Sequence, residues 1–281
     1  MTTPEIDTGP SRDGLSRRTL IKGAAVAGAA AWTAPVLVDS LSSPAAAAAC
    51  SAAPTVTLAT AVVKRESSGV TVTSLSTGSF TSAAGSRLVV FVATSNDAGA
   101  NNSSTITSIS GSVISSAAAL GTQRADYGNE TGRTHDLFCW SGTGGGTSAL
   151  TVNFSATNAP QSISIGVFQV VGATVLTSAV SAAPLQTGTG LSTANYGAAP
   201  PANNREIWGA AGQDGSNTAI AITEPGTWTT SPGWEDMNTG GGNSRSFIFH
   251  GAYRAAPVNA SGSFTAARTV NWAAIRVLCG C

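Results

Sequence analysis

The chain has 281 residues, 14 basic and 14 acidic side chains and a net charge of zero. A length of this order suits one large domain. Lys64 is the only lysine after residue 49, and the sequence contains no basic stripe. Because nucleic-acid phosphates and anionic membranes are bound through clustered Lys and Arg, this composition predicts no nucleic-acid partner and no electrostatic attachment to a membrane.

The first predicted element is a targeting peptide over residues 1–49. Arg17 and Arg18 stand ahead of two apolar residues and a lysine, which is the twin-arginine pattern. The stretch 23–41 is apolar but is interrupted by Gly, Pro and Asp, and it is shorter than the roughly 20 residues that span a bilayer. Small residues offer cleavage after Ala47 or Ala49. We expect export through the twin-arginine (Tat) translocase, removal of the leader by signal peptidase, no membrane span in the mature chain, and a secreted or cell-surface location.

Beyond the leader, residues 50–281 are predicted to form a single β-sandwich domain. Apolar residues recur at every second position inside β-branched runs bounded by Gly, Asn, Pro and Ser, which predicts strands and no long helix. The predicted strands are, in chain order, Thr55–Lys64, Val70–Leu75, Arg87–Thr94, Thr105–Ser110, Thr134–Trp140, Ala149–Ser155, Ser162–Val171, Glu206–Gly212, Ala219–Thr223, Ser244–Tyr253, Ser261–Thr265 and Thr269–Leu278. This many short strands without helices predicts an all-β fold of two packed antiparallel sheets, a jelly-roll-like sandwich.

The Arg87–Thr94 strand carries a finer prediction about its two faces. Since side chains alternate along a strand, Leu88, Val90 and Val92 should share one face. The other face should then carry the three intervening side chains, Val89, Phe91 and Ala93.

A weak internal repeat divides the domain into a first half, about 55–173, and a second half, about 205–281. The segments that correspond are Arg87–Ala93 with Arg205–Ala211, Leu137–Trp140 with His250–Tyr253, and Val167–Gly172 with Ile275–Gly280. The segment 174–204 between the halves is rich in Ala, Pro, Gly and Ser, and it is predicted to be mostly loop with at most a short strand near Val175. Two similar units of this kind would bury their apolar faces against each other. The alternative is that any two alternating strands resemble one another.

The strand patterns resemble a known family. A Leu-Val-Val strand, an Ile-Thr-Ser-Ile strand, a hairpin punctuated by Gly and a Ser-Ile-rich strand are similar to those of the exported and phage-associated single-domain jelly-roll proteins of actinobacteria. The resemblance covers about Thr55 to Cys279. It implies the jelly-roll fold and carries over no active-site residues.

The four cysteines, Cys50, Cys139, Cys279 and Cys281, form an even set in a chain predicted to reach an oxidising compartment, where disulfides are expected. Cys50 precedes the first predicted strand, and the last two cysteines follow the final one. We therefore expect a clasp between Cys50 and one member of the C-terminal pair, with the other member free to reach Cys139. The alternatives are a local Cys279–Cys281 bond and lipidation of Cys50. A Cys-x-Cys metal site lacks histidines at a matching spacing.

Evidence for catalysis is confined to one loop and two histidines. Glu224, Glu235 and Asp236 are candidate carboxylates for polysaccharide cleavage, because that chemistry uses paired acids. Solvated surface charges explain the same residues. His135 with Asp136, or His250, could contribute to a Ser-His-Asp arrangement, but no G-x-S-x-G elbow precedes a helix.

Binding is the function that the composition favours. Trp228, Trp234 and Tyr253 are the candidate ligand-binding aromatics, since flat rings stack on pyranose rings. The alternative is that Trp228 and Trp234 cap the sandwich edge. Three further tryptophans are expected in the core, namely Trp140, Trp208 and Trp272.

Calcium is the one metal that the sequence suggests. Asp97 and Asp214 lie in oxygen-rich loops at equivalent places in the two halves, although Asx turns account for such loops as well. No other cofactor is expected. The sequence thus predicts a noncatalytic exported binding or structural module, with a glycan or cell-wall polymer as the favoured ligand. The alternatives are a polysaccharide-active enzyme and a subunit of a surface assembly.

Overall fold

A computed structural model describes residues 52–66, 71–96, 103–126, 134–180, 186–192, 196, 199–213, 222–223, 229–236, 247–255 and 263–281. All of these belong to one compact unit, Ser43–Cys281. The predicted leader lies outside the described residues, so the twin-arginine signal and its cleavage site stay predictions.

Every regular element in the described ranges is a β-strand, and all strand pairs are antiparallel, so the predicted all-β class is confirmed. The strands are β1 (Thr55–Leu58), β2 (Val63–Glu66), β3 (Ser74–Ser76), β4 (Phe80–Ser82), β5 (Arg87–Asn96), β6 (Ile106–Ser110), β7 (Ile114–Asp126), β8 (Thr134–Gly144), β9 (Gly146–Ser148), β10 (Thr151–Phe154), β11 (Ser162–Val171), β12 (Val175–Val180), β13 (Gln186–Ser192), β14 (Arg205–Gln213), β15 (Ile222–Thr223), β16 (Thr229–Asp236), β17 (Phe247–Arg254) and β18 (Ser263–Gly280). The described ranges contain no helix that is long and apolar enough to span a membrane.

The described strands form two large sheets and two small ones. Sheet 1 has the order β1-β11-β5-β8-β7, with β2 also paired to β11. Sheet 2 has the order β12-β18-β14-β17-β16, with β13 and β15 also paired to β18. Sheet 3 is β3-β10-β6, and sheet 4 is the β4-β9 pair.

The central strand of sheet 1, β5, is buried on both faces. Leu88, Val90 and Val92 of β5 belong to a core that sheet 1 shares with sheet 3. The intervening side chains, Val89, Phe91 and Ala93, belong to a second core that sheet 1 shares with sheet 2. The predicted division of this strand into two faces is therefore confirmed. A strand covered on both sides has no solvent face, which explains its unbroken apolar run.

Sheet 2 is covered on its far side by parts of its own half. Leu191 of β13, Ile222 of β15 and Phe264 at the start of β18 pack there. They contact the central strands of sheet 2, where Trp208 and Trp272 are buried in the same cluster. This third core surrounds the charged residues described below.

Sheets 1 and 2 have the same strand order, position by position, when β1, β11, β5, β8 and β7 are matched with β12, β18, β14, β17 and β16. This is the arrangement that the predicted repeat requires. The pairing register refines the sequence alignment. Val90 pairs with Trp140 and Val167, whereas Trp208 at the matching place pairs with Ala252 and Arg276.

The sequence comparison had matched Trp140 with Tyr253 and Val167 with Ile275, so it was wrong by one residue in two of its three segments. With Val90 matched to Trp208, the register matches Trp140 with Ala252 and Val167 with Arg276. A one-residue slip transfers every side chain to the opposite face of a sheet, so the correction decides which residues are equivalent in the two cores.

Several strand predictions also need correction. β4, β7, β9, β13 and β16 were not predicted, and the segment 174–204, expected to be mostly loop, contains β12 and β13. β7 is rich in Ser, Ala and Gly, and its pairing with β8 shifts register twice. Ser116 within it has a φ of 52°. Such an irregular edge strand lacks the alternation from which strands are predicted.

Candidate functional site

A cluster of charged side chains lies inside the second half. Glu206 on β14 stands directly opposite Arg254 on β17. Arg276 on β18 stands opposite Trp208, two residues along β14 from Glu206 and therefore on the same face of sheet 2. Three adjacent strands thus bring one carboxylate and two guanidinium groups together.

The carboxylate has a cationic partner at each oxygen. Arg276 Nε lies 2.9 Å from Glu206 Oε1, and Arg254 Nε contacts Glu206 Oε2. Glu206 and Arg276 are both 0% exposed, and Arg254 is 6% exposed. Because an isolated buried charge is very costly, the position of the carboxylate between two guanidinium groups is what allows the three to lie in the interior.

Tyr196, in the segment that joins the halves, completes the cluster. Its hydroxyl donates to Glu206 Oε1 at 3.0 Å, and the Arg276 guanidinium carbon lies 4.2 Å from the centroid of its ring. The second contact is a cation–π interaction. Burial, followed by the negative charge of Glu206, raises the pKa of the Tyr196 phenol well above its ordinary value. The phenol therefore stays protonated and continues to donate.

The matching place in the first half is apolar. By the pairing register, Glu206 corresponds to Leu88, Arg254 to Gly142 and Arg276 to Val167. Leu88 and Val167 are fully buried in the core between sheets 1 and 3. The second half thus has an ionic cluster where the first has hydrocarbon. A closed cluster of this kind fixes β14, β17 and β18 to the Tyr196 segment, and its carboxylate has no open side for proton transfer to a substrate.

Sequence reasoning missed this cluster, although two signals for it were present. Glu206 alternates with Trp208 and Ala210, which places the acid on an apolar face. Arg276 interrupts the apolar run Trp272–Leu278. A charge in a predicted core position indicates a buried partner, because unpaired charges are almost never fully buried.

The cysteines have a different arrangement from the one expected. Cys139 and Cys279 are free thiols, fully buried in the core between sheets 1 and 2. The expected bond from a C-terminal cysteine to Cys139 is therefore absent, and so is a Cys279–Cys281 bond. Cys281 is in the disulfide-bonded state, and no disulfide joins two of the described cysteines. Cys50 lies outside the described residues, so the Cys50 clasp and the lipidation alternative stay predictions.

The candidate carboxylates are only partly covered by the structure. Glu224 lies outside the described residues. Glu235 and Asp236 lie at the end of β16, where they pair in register with His250 and Phe249 of β17. The side chains of Glu235, Asp236 and His250 lie outside the described part, so their candidate roles stay predictions.

The candidate ligand-binding aromatics are also only partly covered. Trp228 and the side chain of Trp234 lie outside the description. Tyr253 is half-buried against the core between sheets 1 and 2, where its ring meets Phe168 edge to face at a centroid distance of 6.2 Å. The ring is thus engaged in packing against the core, and its role in ligand binding stays a prediction.

Two of the three tryptophans expected in the core are fully within it. Trp208 and Trp272 are buried, and Trp208 stacks on Phe264 with 3.6 Å between the ring centroids. Trp140 is half-buried and packs against the core between sheets 1 and 3.

Candidate metal and triad residues give no assembled site among the described residues. Asp97 and Asp214 lie outside the description, and no group of three or more His, Cys, Asp or Glu side chains converges within it. Asp136 is buried, and its Oδ2 accepts the backbone N–H of Ser104 at 2.8 Å. That bond gives Asp136 a structural partner in the residues just before β6. The His135 side chain is not described.

The outward face of sheet 3 carries only uncharged polar side chains. Ser76 Oγ and Thr151 Oγ1 are 2.8 Å apart, and Asn153 Nδ2 donates to Ser108 Oγ at 3.0 Å. The register places these four with Ser74 and Ser110 on one face, while Val152 and Ile109 point into the core. The face therefore offers hydroxyl and amide groups without charge.

Comparison with known proteins adds no relative: no family model, no curated protein and no solved structure matches the chain.

Proposed function

We propose that residues 50–281 form an exported, noncatalytic β-sandwich that binds neutral polysaccharide at the cell surface or in the surrounding medium. Export rests on Arg17 and Arg18 and on the tripartite leader. The binding assignment rests on one observation above the others, the uncharged hydroxyl and amide face of sheet 3.

We also propose that each half is jelly-roll-like. In a jelly roll of eight strands, one sheet places the first, eighth, third and sixth side by side, and the other holds the second, seventh, fourth and fifth. The first half supports this scheme if β1 and β2 count as one interrupted strand and the short β4 and β9 are set aside. Sheet 1 then contributes β1-β11-β5-β8 and sheet 3 contributes β3-β10-β6, while β7 lies at the edge of sheet 1.

The second half supports the same scheme, with one long strand in place of two. β12-β18-β14-β17 repeats the first sheet, and β13 and β15 flank the beginning of β18 as the other. One long strand, Ser263–Gly280, thus serves as both the seventh and the eighth. Jelly rolls include lectin domains, but a fold alone does not define a ligand, and the side chains have to supply the specificity.

A neutral ligand rich in hydroxyl groups is the complement of such a face. Ser and Asn side chains donate and accept hydrogen bonds, as sugar hydroxyls do. The face lacks the guanidinium or ammonium groups that an acidic polymer would require. Hydrogen bonds between neighbours, such as Ser76 to Thr151, hold the side chains in fixed positions, which lowers the entropy lost on binding.

The noncatalytic assignment is supported by the burial and the contacts of the carboxylates whose side chains are described. Asp136 and Glu206 are both buried, and each is engaged by hydrogen bonds or guanidinium groups. They belong to different halves, on strands β8 and β14. A glycosidase requires two carboxyl groups facing each other across an open cleft, and this pair does not provide them.

The test is a binding assay on the secreted protein, with insoluble neutral polysaccharides and a glycan array, with calcium and with a chelator. We expect retention on a neutral polymer. The variant Ser76→Glu/Ser108→Glu, which places two charges on the outward face of sheet 3, should lose it. The matched control is Thr57→Glu/Thr81→Glu, which adds the same charge at exposed positions of other sheets and should bind normally.

Each alternative gives its own result in this assay. Release of soluble sugars from the polymer would replace the proposal with a polysaccharide-active enzyme. Sedimentation of the protein alone as large particles would indicate a surface assembly. Equal retention of both double variants would remove sheet 3 as the binding face.

A further inference from the structure

We infer that this domain must fold before its cysteines meet an oxidant, because the native state keeps Cys139 and Cys279 as thiols inside the molecule. The inference rests on the proposed export to an oxidising compartment. It adds an order of events: folding in reducing conditions, export of the folded domain, and oxidation only at the cysteines that remain outside the core.

The two thiols occupy the most protected place in the fold. Cys139 lies in β8 of sheet 1, and Cys279 lies near the end of β18 of sheet 2. Both are 0% exposed and belong to the core between the two sheets, together with Phe91, Phe168 and Val277. A reagent can reach them only if sheets 1 and 2 separate, which is close to global unfolding.

Their chemistry in the folded state is inert for the same reason. Thiol–disulfide exchange requires a thiolate that can approach the sulfur of a disulfide. Burial raises the pKa of both thiols, and the negative charge of Glu206 raises that of Cys279 further. The folded protein thus protects the pair both sterically and electrostatically.

The unfolded chain has no such protection. All four cysteines are then accessible, and full pairing of four cysteines allows three connectivities. Each bond forms as two thiols pass two electrons and two protons to an oxidised dithiol or a small disulfide. Because the native structure has Cys139 and Cys279 free, any bond that uses either one must be reduced again before the chain can fold.

The state of Cys281 fits this order. It is disulfide-bonded and only half-buried at the end of the chain, where an oxidant can reach it in the folded domain. A chain oxidised at random would not spare the two core cysteines.

The first experiment counts thiols in the protein secreted with its own leader. We expect no maleimide labelling in native buffer, and labelling of Cys139 and Cys279 alone after denaturation without reductant, as located by peptide mapping. A disulfide at either of these two positions in the folded, secreted protein would overturn the inference.

The second experiment separates the inference from the export assignment. The purified protein is reduced, unfolded and refolded, either with reduced glutathione followed by oxidised glutathione, or with oxidised glutathione from the start. We expect a large loss of folded yield only in the second order. The variant Cys139→Ala/Cys279→Ala should refold equally well in both orders, provided it folds under the reducing protocol.

Equal yields for the native sequence in both orders would refute the inference, whatever the export route. Conversely, secretion that does not depend on Arg17 and Arg18 would refute the twin-arginine assignment and leave the refolding result standing. A leader that exports unfolded chains gives the same contrast in cells. It should lower the yield of folded native protein and spare the double alanine variant.

Discussion

The ring of Phe91 on β5 lies against the α-carbon of Gly209 on β14, in the core between sheets 1 and 2. A β-carbon added to Gly209 would lie 2.5 Å from Phe91 Cδ1. The two residues hold the same place in the aligned segments Arg87–Ala93 and Arg205–Ala211. The two halves therefore meet through a large and a small residue at equivalent positions, which lets the sheets approach closely.

Replacing Gly209 with Ala should destabilise the domain by about 1–3 kcal/mol, because the added methyl group overpacks the core against an aromatic ring. The measurement is the midpoint of urea unfolding. Gly190→Ala is the matched control, since a β-carbon there meets nothing within 4 Å. Combining Gly209→Ala with Phe91→Leu should recover part of the loss, and a double variant no more stable than Gly209→Ala would contradict the contact.

The contrast between predicted and unpredicted strands has a physical cause. β5, β11 and β14 were predicted because they are buried on both faces, so most of their residues are apolar. β7 was missed because it is an exposed edge strand, so its sequence is free to be polar and irregular, and β16 lies at the matching edge of sheet 2. The sequence pattern of apolar residues therefore predicts a strand well where the strand is buried, and poorly where the strand is exposed.

The charged cluster could not be predicted from local pattern at all. Glu206, Arg254 and Arg276 meet only because three strands pair in one particular register, which depends on the whole sheet. The same holds for the cysteines. Their even number predicted pairing, whereas their state is set by which ones the two sheets enclose.

Breaking the charged cluster should cost more stability than replacing all of it. Replacing Glu206 with Gln leaves two buried guanidinium groups without a counter-charge, and it should cost about 3–5 kcal/mol of unfolding free energy. Changing all three residues together, Glu206→Leu/Arg254→Met/Arg276→Val, should be neutral or stabilising by about 1–4 kcal/mol, since hydrocarbon fills the equivalent core of the first half.

Denaturant unfolding measures both variants, and polysaccharide retention is measured beside it. A stable triple variant with normal retention assigns the cluster to folding specificity alone. If the triple variant is as unstable as Glu206→Gln, the apolar equivalence of the two halves is contradicted. If it is stable but no longer retained on the polymer, the cluster has a part in binding.

Tyr196 should make stability fall at alkaline pH. Its pKa is raised in the folded state, first by burial and then by the charge of Glu206, so the folded protein retains a phenolic proton that the unfolded chain releases. The stabilisation is complete below the unfolded pKa of about 10 and is lost as pH rises towards the folded value. Tyr196→Phe should flatten this part of the profile, as followed by unfolding at a series of pH values.

The buried thiols contribute to the same profile and need their own control. Burial also raises their pKa values. Their contribution to the free energy of unfolding therefore falls as well when pH rises above the ordinary thiol range. Cys139→Ala/Cys279→Ala should remove that part and leave the part due to Tyr196. An unchanged slope in Tyr196→Phe would contradict the buried phenol.

Export should depend on the arginine pair. Replacing Arg17 and Arg18 with Lys preserves the charge and removes the feature that the twin-arginine translocase reads, so precursor should accumulate in the cytoplasm. Immunoblots of cytoplasmic and extracellular fractions measure this. Lys22→Arg, a change of basic residue just outside the pair, is the control and should be secreted normally. Unchanged secretion of the double lysine variant would refute the assignment.

The last prediction concerns the ends of the mature chain. Cys139 and Cys279 are free and Cys281 is disulfide-bonded, so we propose Cys50 as its partner. Such a bond closes a loop over nearly the whole domain, and the chain-entropy model gives it up to about 5 kcal/mol. Cys50→Ser and Cys281→Ser should therefore destabilise the protein equally, and the double variant should be no worse than either single one, because both changes open the same loop.

Cys279→Ala is the contrasting variant. It removes a thiol two residues away without touching the loop, so its cost should be that of a small core cavity and should add to that of Cys281→Ser. Urea unfolding under non-reducing conditions gives the free energies, and non-reducing peptide mapping identifies the bond. A lipid adduct on Cys50, or a mature N-terminus that begins after it, would leave Cys281 to pair between molecules, and stability would then vary with protein concentration.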